Sequence, residues 1–155
     1  MATPQPQLET ALVIKRQFDA PREKVFKAWT DPQALMQWYA PADDFKTPVA
    51  TVDLRVGGGY RIEMIKPDGS RHCVSGRYKE VRAPERLVFS WQWENDVNGT
   101  GPDSVVTVEL RDIGGRTELI LTHARFATKH ARDMHEHGHS GCLDRLQRLL
   151  AQQAL

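Results

Sequence analysis

A long stretch of alternating apolar and polar residues, from Thr47 to Ala124, restricts the fold of this chain more than any other feature. The alternation repeats in short segments such as YRIEMI, where Tyr60, Ile62 and Met64 share one side. Such a period is typical of strands with one buried face. Turn signals such as PDG separate the segments, and short turns join antiparallel neighbours. The pattern therefore predicts a strongly curved antiparallel sheet of about six or seven strands in meander order.

Shorter elements precede this stretch. Residues 11–18, ALVIKRQF, combine β-branched and aromatic side chains, which predicts a first strand. Two helices are predicted next, in DAPREKVFKAW and TDPQALMQWY, because each segment has a proline that suits the first turn of a helix. Asp31 suits the cap of the second helix, whose apolar side carries Leu35, Trp38 and Tyr39. We therefore predict two short helices that are separated at the Asp-Pro step.

The C-terminal segment, residues 128–153, has no strand pattern. Leu143, Leu146 and Leu150 recur at the spacing of one helix face, which predicts a long amphipathic helix. A curved sheet must bury its concave face, and this helix is the only long element left to cover it. A single helix over a curved sheet leaves a gap, and gaps of this kind bind apolar ligands. We therefore predict an α+β fold with a cavity between the sheet and the helix.

Two glycines near the start of this helix, Gly138 and Gly141, run against helix propensity. Each costs roughly 1 kcal/mol relative to alanine in a helix interior. Their presence indicates that the helix either comes very close to another segment or is kinked at this point.

The charge balance excludes several classes of function. Lys and Arg number 21 against 20 for Asp and Glu, which provides no basic field for nucleic acid or an anionic membrane. No apolar run approaches the ~18 residues of a membrane span. Two cysteines, Cys73 and Cys142, are too few for a disulfide framework, so we expect a cytoplasmic protein with reduced thiols. We expect a flexible tail at residues 1–10 and one domain over residues 11–155. The edge strands of its sheet would support a homodimer.

Several longer segments resemble a known family: FDAPREKVFKAWTDPQALMQWYAP, DLRVGGGYRIEM, PDGSRHCVSGRYKEV, PERLVFSWQWE, and HEHG followed by LDRL. In this order they are similar to bacterial homologues of the C-terminal domain of the heat-shock-protein-90 ATPase activator, in the START-like (SRPBCC) superfamily. The resemblance implies the helix-grip fold, in which the sheet wraps around the long C-terminal helix above a deep cavity. Relatives carry H-x-x-G-W at the head of that helix. Here His135 and Gly138 match, and His139 stands where the tryptophan is expected.

Aromatic, methionine and histidine side chains are the candidates for the cavity wall. In a helix-grip fold the concave face of the sheet is that wall, so we predict ligand-binding residues among those that face it. They are Trp38, Tyr60, Met64, Phe89, Trp91, Trp93, His123, His135 and His139. The same residues also suit a filled core, and the two interpretations differ only in whether a void remains. For the helix histidines the alternative is a structural hydrogen bond to the sheet, or packing beside the aromatics.

The sequence HEHGH, residues 135–139, also fits H-E-x-x-H, a zinc-binding pattern. Both of its outer histidines and Cys142 can point the same way on a helix, and Cys73 is a candidate fourth ligand. Asp144 is the only carboxylate after this motif, which leaves a zinc peptidase without its usual third ligand. We therefore predict no metal, no cofactor and no catalytic residue.

Three functions follow as hypotheses. The first is binding of a small hydrophobic ligand, aromatic or lipid-like, under the C-terminal helix. The second is implied by the resemblance, and is partnership with heat-shock protein 90 as a co-chaperone in the stress response. The third is an enzyme in which cavity histidines act as general acid and base, as in some START-like cyclases. No feature of the sequence selects a substrate.

Overall fold

The computed structural model describes residues 11–94 and 104–153, so the predicted tail at residues 1–10 lies outside the described residues. The order of elements agrees with the prediction. It is β1 (Leu12–Phe18), α1 (Arg22–Thr30), α2 (Pro32–Trp38), β2 (Lys46–Val52), β3 (Gly59–Ile65), β4 (Arg71–Arg82), β5 (Arg86–Ser90), β6 (Gln92–Trp93), β7 (Val105–Asp112), β8 (Thr117–Ala124) and α3 (Lys129–Gln153).

The strands form one antiparallel sheet in the order β1-β8-β7-β5-β4-β3-β2, with β6 paired to β4. Within the described residues the sheet thus has seven strands in its main path and a short eighth, against the six or seven predicted. The segment RLVFSWQW reads as one strand in the sequence, yet it is interrupted at Trp91. Gly76 lies opposite this interruption, where a Cβ atom would overlap the carbonyl oxygen of Ser90. The close approach at this glycine lets the chain bend between β5 and β6.

Helix α1 ends and helix α2 begins at Asp31, as predicted. Its amide donates to the carbonyl oxygen of Lys27 at 2.8 Å and ends α1, while its carboxylate accepts from the amide of Gln33 at 3.0 Å and caps α2. Pro32 occupies the first position of α2, where its missing amide hydrogen costs nothing. Trp38 at the end of α2 is fully buried, and its indole donates to the carbonyl oxygen of Ala28 at 2.9 Å.

Helix α3 lies against the sheet through its leucine face, because Leu143, Leu146 and Leu150 are all buried. Gly141 meets the loop between α2 and β2, where a Cβ atom would overlap the carbonyl oxygen of Pro41. The prediction of a close approach is therefore confirmed at Gly141, whereas a Cβ atom at Gly138 would have no neighbour within 4 Å. Within the described ranges, no helix is long and apolar enough to cross a membrane.

Ion pairs fasten the outer side of α3 to the rest of the domain. Arg145 and Arg148 both reach the carboxylate of Asp43 in the loop between α2 and β2, at 3.1 and 2.7 Å. At the other side of the helix, Asp144 accepts from Arg16 of β1 at 2.6 Å. Because both carboxylates are mostly solvent-exposed, these ion pairs contribute little to the free energy of unfolding, and their main effect is to fix the position of the helix.

Candidate functional site

A cavity of about 350 Å³ lies between α3 and the sheet, next to the loop that follows α2. Its volume falls in the range of about 300–1,000 Å³ that is common for small-molecule sites. Apolar and aromatic side chains form most of the wall, and histidines and one lysine supply the polar groups. The lining residues are Tyr39, Pro41, Phe45, Met64, Lys66, His72, Trp91, Trp93, Met134, His135, His137, Gly138, His139 and Cys142.

Five of the nine predicted site residues line this cavity, and four lie elsewhere. The lining five are Met64, Trp91, Trp93, His135 and His139. Trp38 is buried between the two short helices. Tyr60 and Phe89 line a second, much smaller space of about 10 Å³ under α1 and α2. His123 is fully buried and contacts His139 rather than the cavity itself.

Several lining residues outside α3 were not among the side chains predicted for the cavity wall. Tyr39 and Phe45 belong to the loop after α2, which packs against α3 at Gly141. His72 and Lys66 lie on either side of the β3–β4 turn and reach the wall from the sheet. Proline and aromatic residues in the loop hint at an ordered structure, but no local pattern shows which element the loop will contact.

Trp91 is the centre of the aromatic wall. Its ring lies edge-on to Trp93, His123 and His135, with ring centroids 5.0, 5.0 and 5.3 Å apart. Its indole nitrogen donates to the hydroxyl of Tyr39 at 2.9 Å, which connects the sheet to the loop after α2. Edge-to-face rings of this kind add to the stability of a packed wall, so the cavity is bounded by a fixed surface.

His135 has both ring nitrogens engaged. Its Nδ1 donates to the carbonyl oxygen of Ala131 at 2.6 Å, and its Nε2 accepts from the indole nitrogen of Trp93 at 2.9 Å. An indole nitrogen only donates, so Nε2 of His135 carries no proton and the ring is neutral. Burial lowers the pKa of His135, and the hydrogen bond to Ala131 opposes this shift only in part.

His139 begins a chain of hydrogen bonds that leads away from the cavity. Its Nε2 is 2.9 Å from Nδ1 of His123, and Nε2 of His123 is 3.0 Å from the hydroxyl of Ser104. Ser104 in turn donates to the carbonyl oxygen of Trp91. We call these three side chains and the Trp91 carbonyl the histidine relay. Burial, with a smaller contribution from His135, lowers the pKa of His139 to about 3. Burial first, and then His139 and His135, hold the pKa of His123 well below its usual range.

The groups that could form a metal site are used otherwise. Within residues 11–94 and 104–153 there is no group of three or more His, Cys, Asp or Glu side chains suited to a metal ion. The thiol of Cys73 accepts from a guanidinium nitrogen of Arg61 at 3.1 Å. Burial raises the pKa of the Cys142 thiol to about 12, so this thiol is protonated at neutral pH. The H-E-x-x-H match therefore places two neutral, hydrogen-bonded imidazoles at the cavity.

Comparison with solved structures shows the same fold in several bacterial proteins. A protein from Chromobacterium violaceum is 27% identical with a TM-score of 0.82, covering 91% of this chain and 96% of that one. The AHSA1 protein of Silicibacter pomeroyi is 27% identical with a TM-score of 0.81, covering 92% of this chain and 99% of that one. A protein from Nitrosomonas europaea is 25% identical with a TM-score of 0.78, covering 94% and 97% of the two chains. Comparison with curated proteins gives no match.

A family model matches residues 19–151 of the chain, and its description is "Activator of Hsp90 ATPase homolog 1-like protein". The matched range begins before α1 and ends close to the end of α3. All residues that line the cavity fall within it. The agreement extends to the fold of the solved relatives, whose structures align over almost their whole length. The chain therefore belongs to the family of activator-of-Hsp90-ATPase-homolog-1-like proteins, in the START-like superfamily that its sequence motifs resemble.

Proposed function

We propose that this protein binds a small hydrophobic molecule, aromatic or lipid-like, in the cavity between α3 and the sheet. The observation that carries the proposal is the cavity of about 350 Å³ itself, with Trp91, Trp93 and Met64 in its wall. A volume of this size corresponds to about a dozen water molecules at about 30 Å³ each. Replacing such water by an apolar ligand is favourable by about 25 cal/mol for each Å² of apolar surface that leaves water.

The histidines support binding more than catalysis. A general base is most effective when its pKa lies near the working pH. Burial lowers the pKa of His139 to about 3, and it lowers the pKa of His135 as well, so both rings are neutral and weakly basic at pH 7. Neutral imidazoles at the wall of an apolar cavity suit the orientation of a ligand through hydrogen bonds.

Partnership with heat-shock protein 90 is the alternative that the family description suggests. A pull-down of heat-shock protein 90 with the wild-type protein, and with a variant whose cavity is filled, separates the two functions. Capture that is equal for both proteins would support a chaperone role that does not use the cavity.

The proposal is tested by calorimetric titration with 2-naphthol and with 1-decanol, an aromatic and a lipid-like probe. Gly138→Phe is the decisive variant, because Gly138 lines the cavity and a Cβ atom there has no neighbour within 4 Å. The Cβ atom of the new side chain therefore meets open space, and we expect its ring to extend into the cavity that Gly138 lines. Glu136→Phe is the matched control, since this side chain is exposed and does not line the cavity.

We expect the wild-type protein and Glu136→Phe to bind at least one probe saturably in a 1:1 ratio. Gly138→Phe should lose at least about tenfold in affinity while it keeps the wild-type circular dichroism spectrum, because its ring occupies the space of the ligand. Unchanged affinity in folded Gly138→Phe, or no saturable binding of either probe by the wild type, would contradict the proposal.

A further inference from the structure

We propose that the cavity selects a ligand with a neutral hydrogen-bond donor, such as a phenol, an alcohol or an N–H group, which donates to Nδ1 of His139. A carboxylate or an acceptor-only group is disfavoured at this position. This inference rests on the proposed function and specifies the chemical class of its ligand. It follows from which atom donates and which atom accepts in each hydrogen bond of the histidine relay.

The direction is set at the buried end of the relay. The carbonyl oxygen of Trp91 has lone pairs and no proton, so it can only accept. The hydroxyl of Ser104 has a single proton, which it donates to that carbonyl oxygen. The oxygen of Ser104 must therefore accept in its other contact, at 3.0 Å from Nε2 of His123. It follows that Nε2 of His123 carries a proton.

The proton on Nε2 of His123 also determines which nitrogen of His139 is protonated. A neutral imidazole has one N–H and one bare nitrogen, so protonation at Nε2 leaves Nδ1 of His123 as an acceptor. Nε2 of His139, 2.9 Å away, is then the donor. His139 is neutral for the same reason, because it is buried and the charged neighbour that would favour an imidazolium is absent from the described contacts. Nδ1 of His139 is thus a bare nitrogen that accepts.

Reversal of the whole relay is unfavourable. It would direct the Ser104 hydroxyl proton toward His123, and the carbonyl oxygen of Trp91 would then face another oxygen without a proton between them. A buried acceptor that loses its donor carries the full penalty of its desolvation. The arrangement with a bare Nδ1 on His139 is therefore the stable one.

Of the two buried histidines in the wall, only His139 has a nitrogen left for a ligand. His135 already uses both nitrogens, toward Ala131 and Trp93. Nδ1 of His139 has no hydrogen-bond partner within residues 11–94 and 104–153, and it is not among the fully buried atoms of that kind, so it keeps accessible surface at a residue that lines the cavity. A ligand in the cavity is then the group that can satisfy this nitrogen.

His72, on the sheet side of the cavity, has the same polarity and is independent of the relay. The hydroxyl of Ser70 donates to the carboxylate of Asp68 at 2.6 Å, so it accepts from Nε2 of His72 at 3.3 Å. Nδ1 of His72 is then bare, and it is a buried atom that has no partner in the described residues. Because this atom has almost no accessible surface, a ligand cannot reach it without a movement of the side chain, and His139 remains the histidine that offers an acceptor. A carboxylate would place its lone pairs against Nδ1 of His139 and would depend on Lys66 for its attraction.

The affinity test compares three ligands that share one ring system: 2-naphthol, 2-methoxynaphthalene and 2-naphthoate, titrated at neutral pH. 2-Methoxynaphthalene keeps the oxygen and lacks only its proton. We expect 2-naphthol to bind about tenfold more tightly than either competitor, which corresponds to the net effect of about one hydrogen bond. In His139→Phe the preference for 2-naphthol over 2-methoxynaphthalene should fall to within about twofold, because the acceptor for the hydroxyl proton is gone. His130→Phe is the control and should keep the preference, because this side chain is exposed and does not line the cavity.

The outcomes separate the inference from the function on which it rests. Equal affinity for the three ligands, or tighter binding of 2-naphthoate, would overturn the inference and leave cavity binding in place. If none of the three binds, the proposed function fails and this inference fails with it.

A second measurement needs no variant, so it does not depend on whether His139→Phe folds. Long-range ¹H–¹⁵N NMR spectra distinguish a bare ring nitrogen from one that carries a proton. We expect His139 and His123 to be protonated at Nε2 and bare at Nδ1, and His135 to show the opposite pattern. A proton on Nδ1 of His139 in the wild-type protein would overturn the inference.

Discussion

The indole nitrogen of Trp93 lies 2.9 Å from Nε2 of His135, and this hydrogen bond joins strand β6 to helix α3 at the wall of the cavity. Because the indole can only donate, the bond is compatible with a neutral imidazole and incompatible with protonation at Nε2. The hydrogen bond between strand β6 and helix α3 therefore depends on a neutral His135.

Replacement of Trp93 by phenylalanine should raise the pKa of His135. The change removes the donor that faces Nε2 and admits water beside a ring whose pKa is lowered mainly by burial. It should also cost about 1 kcal/mol of the free energy of unfolding, the usual net value of one hydrogen bond. NMR titration of the imidazole resonances and chemical denaturation measure the two effects.

The control for this variant is Trp38→Phe. It removes an indole that also donates to one acceptor, the carbonyl oxygen of Ala28 at 2.9 Å, but it lies between the short helices rather than at the cavity. We expect a loss of stability without a change in the pKa of His135. A pKa of His135 that stays at its wild-type value in Trp93→Phe would refute the proposed coupling.

The free energy of unfolding should decrease as the pH falls below about 6.5, the ordinary pKa of histidine. His123, His135 and His139 have pKa values below that value in the folded protein, whereas the unfolded chain binds protons at the ordinary pKa. The unfolded state therefore gains more protons than the folded state. For His139 the loss extends from pH 6.5 down to about 3, the pKa to which burial lowers it. Each such group contributes a slope of about 1.4 kcal/mol per pH unit.

Urea denaturation between about pH 7 and pH 5 measures this dependence, in a range where most carboxylates stay ionised. His139→Phe should flatten the curve by up to one proton, because the variant has no imidazole to titrate at this position. Trp38→Phe is the control, since it alters a buried aromatic ring outside the cavity and changes no imidazole, and it should leave the slope at its wild-type value. The same slope in wild type and His139→Phe would show that His139 does not have a lowered pKa.

The two glycines of α3 should respond to alanine with opposite signs. Gly138→Ala should stabilise the protein by about 0.5–1 kcal/mol, because alanine favours the helix and its Cβ atom meets nothing within 4 Å. Gly141→Ala should destabilise it by about 1–3 kcal/mol, because the Cβ atom overlaps the carbonyl oxygen of Pro41 and forces the helix and the loop apart. Thermal and urea denaturation compare the pair. Stabilisation by both substitutions would mean that α3 does not contact the loop after α2 in this way.

The sequence predicts the elements of this fold well, because the signals that define them are local. The alternation of the strands, the cap at Asp31 and the leucine face of α3 all depend on residues close together in the chain. The close approach at Gly141 is also visible as a residue that no isolated helix would favour. These local signals, with the family resemblance, are sufficient for the fold class.

The composition of the cavity wall is less predictable, because alternation gives the face of a strand and not the element that covers it. Tyr60 and Phe89 are buried as predicted, yet α1 and α2 cover them and they lie outside the main cavity. His123 points inward but lies behind His139. Tyr39 reaches the wall through a loop whose position depends on long-range contact with α3. Pairing between distant segments decides these positions, and no short pattern encodes it.

The central claim is that an apolar ligand occupies the cavity under α3, and intermolecular NMR contacts test it most directly. With ¹³C-labelled protein and unlabelled 2-naphthol, we expect nuclear Overhauser effects from the ligand ring to the methyl group of Met64 and to the indole of Trp91, which both line the cavity. These contacts should disappear in Gly138→Phe. Saturable binding with contacts only to apolar side chains on the outer surface, such as Val13 and Val56, would contradict the account.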